Sequence, residues 1–214
     1  AYTTVASSVV LVTTMPLWVA LLSPMILKEP LSRSMLAGML LALVGGVVIG
    51  LSDVCTWQGT LVCQPLSTFL QHGAFRGDLL ALLGAWAAAG YILIGRRLRS
   101  RMSLIGYIFI VYGMAAVVLV MVMLVAGYHP FAYPPSAFGW FLLLALVPQL
   151  LGHSSFNYAL RYLSAAYVSI SLLGEPIGST ILAYIFLNER PGAVELFGAI
   201  LILTGIFITS RNRA

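Results

Sequence analysis

The sequence predicts an all-α integral membrane protein of seven spanning helices that contain an inverted repeat, and three observations predict it. Of 214 residues, 61% are hydrophobic and 8% charged, with a mean hydropathy of +1.02; ordinary soluble domains carry about 25% charged residues. The stretch from Tyr2 to Gly45 recurs from Tyr162 to Gly205 at a fixed offset of 160 residues, without a gap. It pairs Pro16 with Pro176, Glu29 with Glu189, Gly38 with Gly198 and Gly45 with Gly205. Shared Leu and Ala carry little weight in so apolar a chain, whereas Pro, Glu and two Gly in one register indicate an internal duplication. Finally, the basic residues flank the apolar spans at alternate ends.

A spanning helix needs about 20 apolar residues, which gives spans near Tyr2 to Leu27, Ser34 to Leu51, Asp78 to Ile94, Ser103 to Tyr128, Ala137 to Leu160, Ser164 to Leu187 and Ala193 to Thr209. Arg96, Arg97, Arg99 and Arg101 follow the third span, Arg161 the fifth, and Arg211 with Arg213 the seventh. Positive charge stays on the cytoplasmic side, and alternating the spans puts all three groups there, together with Lys28 and Arg33. The C-terminus is therefore expected in the cytoplasm of a cell bounded by an inner or plasma membrane. The first span then runs inward and its repeat, the sixth, outward, an architecture many secondary carriers share.

The net charge of +5 is accounted for by these flanking residues, and no nucleic-acid-binding motif is present. The long connection after the second span, residues 53–77, holds both cysteines, Cys55 and Cys63. Its expected extracytoplasmic side is where disulfides persist, so a bridge within this loop and two separate thiols both stay open. There is no HExxH, P-loop or GxSxG motif and no metal-ligand spacing among His72, His129 and His153, so no enzyme and no cofactor is expected.

Polar residues inside apolar spans are the candidates for function. Glu175 sits beside Pro176 in the sixth span, where it could hold a cationic group, carry a coupling proton, or serve as a structural carboxyl hydrogen-bonded to His153. Leaving water favours the neutral form of a carboxyl, as a proton carrier requires. Its counterpart in the first copy is Met15, so charge chemistry concentrates in the second copy. Ser164, Tyr167, Ser171, Glu175 and Gly178 share a face at helical spacing, with Ser171 and Gly178 equally suited to close helix approach. In the fifth span Gln149, His153 and Asn157 recur every four residues and are expected on one inward face, either as ligands or as interhelical hydrogen-bond partners. Among the aromatics, Trp86 and Tyr167 are the best placed to stack on a planar group. Pro16 and Pro176 permit bending, and Glu29 and Glu189 at span ends read as structural.

The segments MPLWVALLSPMILKE with LAGMLLALVGG, EPIGSTILAYIFLNE with LFGAILILTGI, and the phrase NYALRYLSAAYVSISLLGEP together resemble the drug/metabolite transporter superfamily, in particular its EamA-type members. That resemblance implies a bundle of ten helices in two inverted five-helix repeats. Residues 1–52 would be the last two helices of the first repeat, 53–77 an extracytoplasmic loop and 78–214 the second repeat. The seven spans then match helices four to ten, so three further helices, or a second copy in a homodimer, are expected to complete the bundle. The implied function is secondary transport of a small amino-acid-like, aromatic or drug-like metabolite by alternating access in the lipid bilayer, with proton coupling or facilitated exchange. The competing expectation is a non-transporting scaffold or half-transporter that needs a partner.

Overall fold

A proline ring in a helix interior collides with the carbonyl four residues earlier, which for Pro16 and Pro176 is the carbonyl of Val12 and of Leu172. The computed structural model describes residues 5–52, 55–57, 61–63, 74–129, 131–188 and 190–211. Its helices are α1 (Val5–Val12), α2 (Met15–Ile26), α3 (Arg33–Ser52), α4 (Ala74–Arg99), α5 (Leu104–Val125), α6 (Pro135–Leu144), α7 (Ser154–Ala159), α8 (Ala165–Leu172), α9 (Glu175–Leu187) and α10 (Ala193–Arg211), with a π-helical stretch, Ala145–His153, between α6 and α7. Among the described residues they give six segments long and apolar enough to cross a membrane, from 33–50 to 193–211, and a shorter apolar one at 10–26, in the order of the seven expected spans. Between α3 and α4 a small antiparallel ladder pairs Cys55–Trp57 with Leu61–Cys63 and sets the backbone of Cys55 opposite that of Cys63. The remainder of that loop lies outside the described residues, as do Glu189 and Pro130.

The first and sixth spans are each two helices, broken where the prolines require. α1 stops at Val12 and α8 at Leu172; α2 and α9 restart with proline in the second position, where no amide is needed. The linking residues have the same backbone, φ −72 and ψ −10 at Thr14, φ −76 and ψ −10 at Gly174. Their hydrogen bonds also correspond: Thr14 N–H to Leu11 O (3.2 Å) with Gly174 N–H to Ser171 O (3.1 Å), and Leu17 N–H to Thr14 O (2.9 Å) with Ile177 N–H to Gly174 O (3.1 Å). Both hairpins leave their second helix through a left-handed residue, Lys28 at φ 58 and Asn188 at φ 56. The duplication read from the sequence is thus repeated in backbone geometry, 160 residues apart.

By contact, the chain forms two compact units, one of residues up to Leu93 together with those from Ser164 onward, the other 94–163. The first unit is built on α3 against α10. A Cβ on Gly45 would stand 2.6 Å from Gly198 O, and one on Gly198 would stand 2.8 Å from Gly45 O; Gly38 and Gly205 meet in the same way one stretch along. The rising order 38, 45 faces the falling order 205, 198, so the helices are antiparallel. Exchanging the repeats turns each contact into the other, as a two-fold axis demands. Around this seam Ala20, Met39, Ala42, Leu43, Ile170, Leu173 and Ile202 form one buried cluster. Glu29, just after α2, accepts the Ala165 N–H at the start of α8 through Oε2 (3.0 Å), a favourable place for a carboxylate because helix N-termini carry partial positive charge. Its structural role is therefore a bond to the other repeat.

The second unit packs at its arginine-bearing end. Arg99, only 1% exposed, donates through Nε to Asn157 O (2.9 Å) and through a terminal nitrogen to Met102 O. Arg96 donates to Leu160 O and Arg161 O, both at 2.9 Å. Two guanidinium groups thereby satisfy carbonyls that the end of a helix leaves orphaned. Tyr107 and Leu160 pack over Gly95, where a Cβ would meet each at 3.0 Å. Apart from Tyr107, α5 buries no residue in the protein, leaving the rest of its apolar surface for lipid.

Two stability outcomes follow from this packing. Alanine is a better helix former than glycine by about 1 kcal/mol, yet Gly45→Ala should lower stability by about 1–3 kcal/mol through overpacking. Gly84→Ala, where a Cβ meets nothing within 4 Å, should leave stability unchanged or raise it; unfolding midpoints in detergent compare the two. Arg99→Ala should cost about 3 kcal/mol in the same measurement, and Arg99→Lys should recover only part of it, since one ammonium lacks the guanidinium fork.

Candidate functional site

The two broken hairpins share one backbone plan but present opposite chemistry. On α2 the face comprising Met15, Val19, Ala20 and Ser23 is buried, with exposures of 8%, 0%, 3% and 0%. The matching residues on α9 are Glu175, Ser179, Thr180 and Ala183, and α9 has no buried residue at all. One copy of the face is closed and apolar except for Ser23; the other is open and polar except for Ala183.

On the open face Ser179 donates its hydroxyl to Pro176 O (2.9 Å). Thr180 Oγ1 lies 2.9 Å from the same carbonyl and 2.5 Å from Glu195 Oε1 in the first turn of α10, and its one proton serves one of them at a time. Between α9 and α10 lies a cavity of about 260 Å³ lined by Ser179, Thr180, Ala183, Arg190, Pro191 and Glu195. Glu175, Ser179 and Ala183, spaced four apart, run along α9 in one row towards it.

Glu175 is the first residue of α9 and is exposed, at a helix N-terminus that favours negative charge. The break at Leu173 and Gly174 interrupts the single face expected from Ser164 to Gly178. Upstream of it, Ser164 Oγ caps α8 by accepting the Tyr167 N–H (3.3 Å), and Ser171 donates to Tyr167 O (3.0 Å), so both serines are engaged locally beside a half-buried Tyr167. The expected close approach at Gly178 is absent: nothing lies within 4 Å of a Cβ built there. Trp86 is 43% exposed and meets Trp18 edge to face, ring centroids 5.3 Å apart at 85°. Trp18 donates through Nε1 to Thr14 Oγ1 (3.2 Å), which sets the aromatic pair beside the first break.

In the second unit the three polar residues from Gln149 to Asn157 differ in their surroundings. Asn157 is fully buried and donates through Nδ2 to Tyr112 Oη (3.1 Å), itself 3.2 Å from Ser154 Oγ. His153 and Gln149 are exposed, with His153 edge to face on Phe156 at 6.3 Å. Gln149 and His153 lie in the π-helical stretch around Pro148. Packing within this unit is also confined to the end where Asn157 lies. Glu175, Trp86, Tyr167 and Ser171 thus belong to the first unit and Gln149, His153 and Asn157 to the second.

Ser179, Thr180, Arg190 and Glu195 were not anticipated as a group. The signal was available: their counterparts in the first copy are Val19, Ala20, Pro30 and Met35, the same polar-for-apolar exchange that singled out Glu175 against Met15.

The arrangement has known relatives. The chain is 24% identical over 216 residues to an uncharacterized transporter of Archaeoglobus fulgidus, covering 99% of this chain and 69% of the relative. It is 26% identical over 200 residues to a probable terminal-alkyne amino-acid exporter of Streptantibioticus cattleyicolor, covering 92% of this chain and 61% of that protein. A crystal structure of 18% sequence identity superposes with a TM-score of 0.73 over 96% of this chain and 68% of its own, which shows the fold. The profile of the EamA-like transporter family matches residues 75–211, and with the helical, apolar bundle described above this establishes that the chain is an integral membrane protein belonging to the EamA-like transporter family.

Proposed function

We propose that this protein carries a small amino-acid-like or aromatic metabolite across the membrane by alternating access, with its two broken hairpins exchanging roles. The observation that carries this reading is the contrast between α2 and α9: equivalent backbones, one face buried, one open. Because the hairpins are related by a two-fold axis at α3 and α10, a state with α9 closed and α2 open uses the same local geometry, and it opens the other side. Ser23 supports such an exchange. Among the described residues its buried hydroxyl has no hydrogen-bond partner, which costs about 1–3 kcal/mol in the closed position and is relieved on opening. The relative named as an amino-acid exporter favours an amino-acid-like substrate.

In this reading Glu175 binds the substrate ammonium or a coupling proton, Trp86 with Trp18 provides an aromatic wall at the first break, and Tyr167 and Ser171 line the region above the second. Asn157, His153 and Gln149 serve the path or the packing of the second unit. The arginine-bearing ends and the C-terminus face the cytoplasm of a cell bounded by an inner or plasma membrane.

The test is flux in proteoliposomes. Glu175→Gln should lower proton-gradient-driven transport by about tenfold or more, as loss of a charged hydrogen bond predicts, and flatten its pH dependence; unchanged uptake and pH profile would remove the proton role. Trp86→Ala should raise the apparent KM for aromatic substrates several-fold, by the roughly 0.5–1.5 kcal/mol of an aromatic pair, and leave aliphatic substrates little changed.

A further inference from the structure

We infer that the cavity between α9 and α10 is a second binding site, one that takes zwitterionic ligands carrying an ammonium and a carboxylate group. It stands apart from Glu175 and does not depend on the carrier reading. Three observations carry it. The first is charge: Glu195 and Arg190 line one cavity, yet among the described residues no ion pair joins them. Opposite charges held in one small space without pairing suit a ligand that bears both signs. A carboxylate accepts from an ammonium, while a guanidinium fork matches a carboxylate in two-point geometry.

The second observation is that the hairpin plan does not require these residues. The matched positions in the first copy hold Val19, Ala20, Pro30 and Met35. Val19 and Ala20 are buried, and Met35 packs against the central cluster, so an apolar version of this hairpin folds and packs. Four polar replacements concentrated in one copy therefore call for another cause. The third is size and position. The volume of about 260 Å³ lies just below the usual range for small-molecule pockets, as suits a single amino acid. Ala183 and Pro191 offer a small apolar wall for its side chain. Of the row Glu175, Ser179 and Ala183, the last two line the cavity, and Glu175 lies one turn beyond it at the helix break.

Equilibrium binding of radiolabelled leucine to the purified protein tests this, with unlabelled leucine methyl ester, which lacks the carboxylate, and 4-methylpentanoate, which lacks the ammonium, as competitors. Leucine should bind, and each competitor should be about tenfold weaker or more. Arg190→Gln should weaken leucine to the level of the ester and leave the ester unchanged. Glu195→Gln should weaken leucine and the ester alike while keeping the fold, since the amide oxygen still accepts from Thr180; an unchanged unfolding midpoint checks that. Repeating the measurements in a Glu175→Gln background removes any contribution from the helix break, so leucine binding that is lost there on adding Arg190→Gln reports the cavity alone, and flux of the single variant bears on the carrier reading. Absence of leucine binding in the wild type, equal affinity for all three compounds, or wild-type affinity in both the Arg190 and Glu195 variants would overturn the inference.

Discussion

Backbone lies against backbone where Gly45 meets Gly198 and Gly38 meets Gly205, and every other feature of the first unit is placed by that contact. Lipid gives helices no hydrophobic reason to associate, so their packing relies on small residues that let backbones approach and gather dispersion contacts. Four glycines supply this, and they admit no Cβ: each built Cβ falls within 3 Å of backbone on the facing helix. α3 and α10 thereby become a fixed antiparallel frame. The broken hairpins then hang from the frame as two-fold equivalents, α2 joined to α8 on one side through the cluster of Ala20, Ile170 and Leu173 and through Glu29 on the α8 N-terminus.

The same frame makes the difference between the hairpins informative. Identical linker dihedrals at Thr14 and Gly174 mean the break itself is not the source of asymmetry. The difference lies in what each second helix faces and in the residues it presents: Met15, Val19 and Ala20 suit a closed apolar contact, whereas Glu175, Ser179 and Thr180 tolerate water. In the proposed cycle the two arrangements share one backbone plan, and differential ligand binding is what moves the protein between them. The polar copy can supply that difference through ligand contacts, and the apolar copy through burial, with the unsatisfied Ser23 hydroxyl working against closure.

Much of this was legible in the chain. The break positions follow from Pro16 and Pro176 once the i−4 carbonyl is considered, and the four glycines in one register marked the duplication, though not that they meet across a seam. Membrane character followed from composition alone. Other features were not legible because they depend on exchanges between distant segments or on local backbone form. Gln149 and His153 lie in a π-helical stretch around Pro148 and are exposed, a backbone form that residue spacing does not announce. Arg99 reads as a topology signal in sequence, but its guanidinium is consumed by carbonyls at Asn157 and Met102, a partnership no spacing rule reveals. Glu29 looked like a surface carboxylate beside Lys28, whereas it reaches a helix that begins at Ala165. The cavity group at Arg190 and Glu195 was within reach of the repeat comparison, since each replaces an apolar counterpart.

Reciprocal access at the two hairpins is the feature on which the functional reading stands, and one pair of positions reports it directly. Ser23 on α2 is buried and its repeat partner Ala183 on α9 lines an open cavity. With Cys55 and Cys63 replaced by serine, Ser23→Cys and Ala183→Cys can each be exposed to a water-soluble thiol reagent in liposomes, with and without substrate or an imposed pH gradient. Alternating hairpins require the two modification rates to change in opposite directions, Ser23→Cys gaining reactivity as Ala183→Cys loses it. Rates that rise and fall together, or that ignore both substrate and gradient, would contradict it.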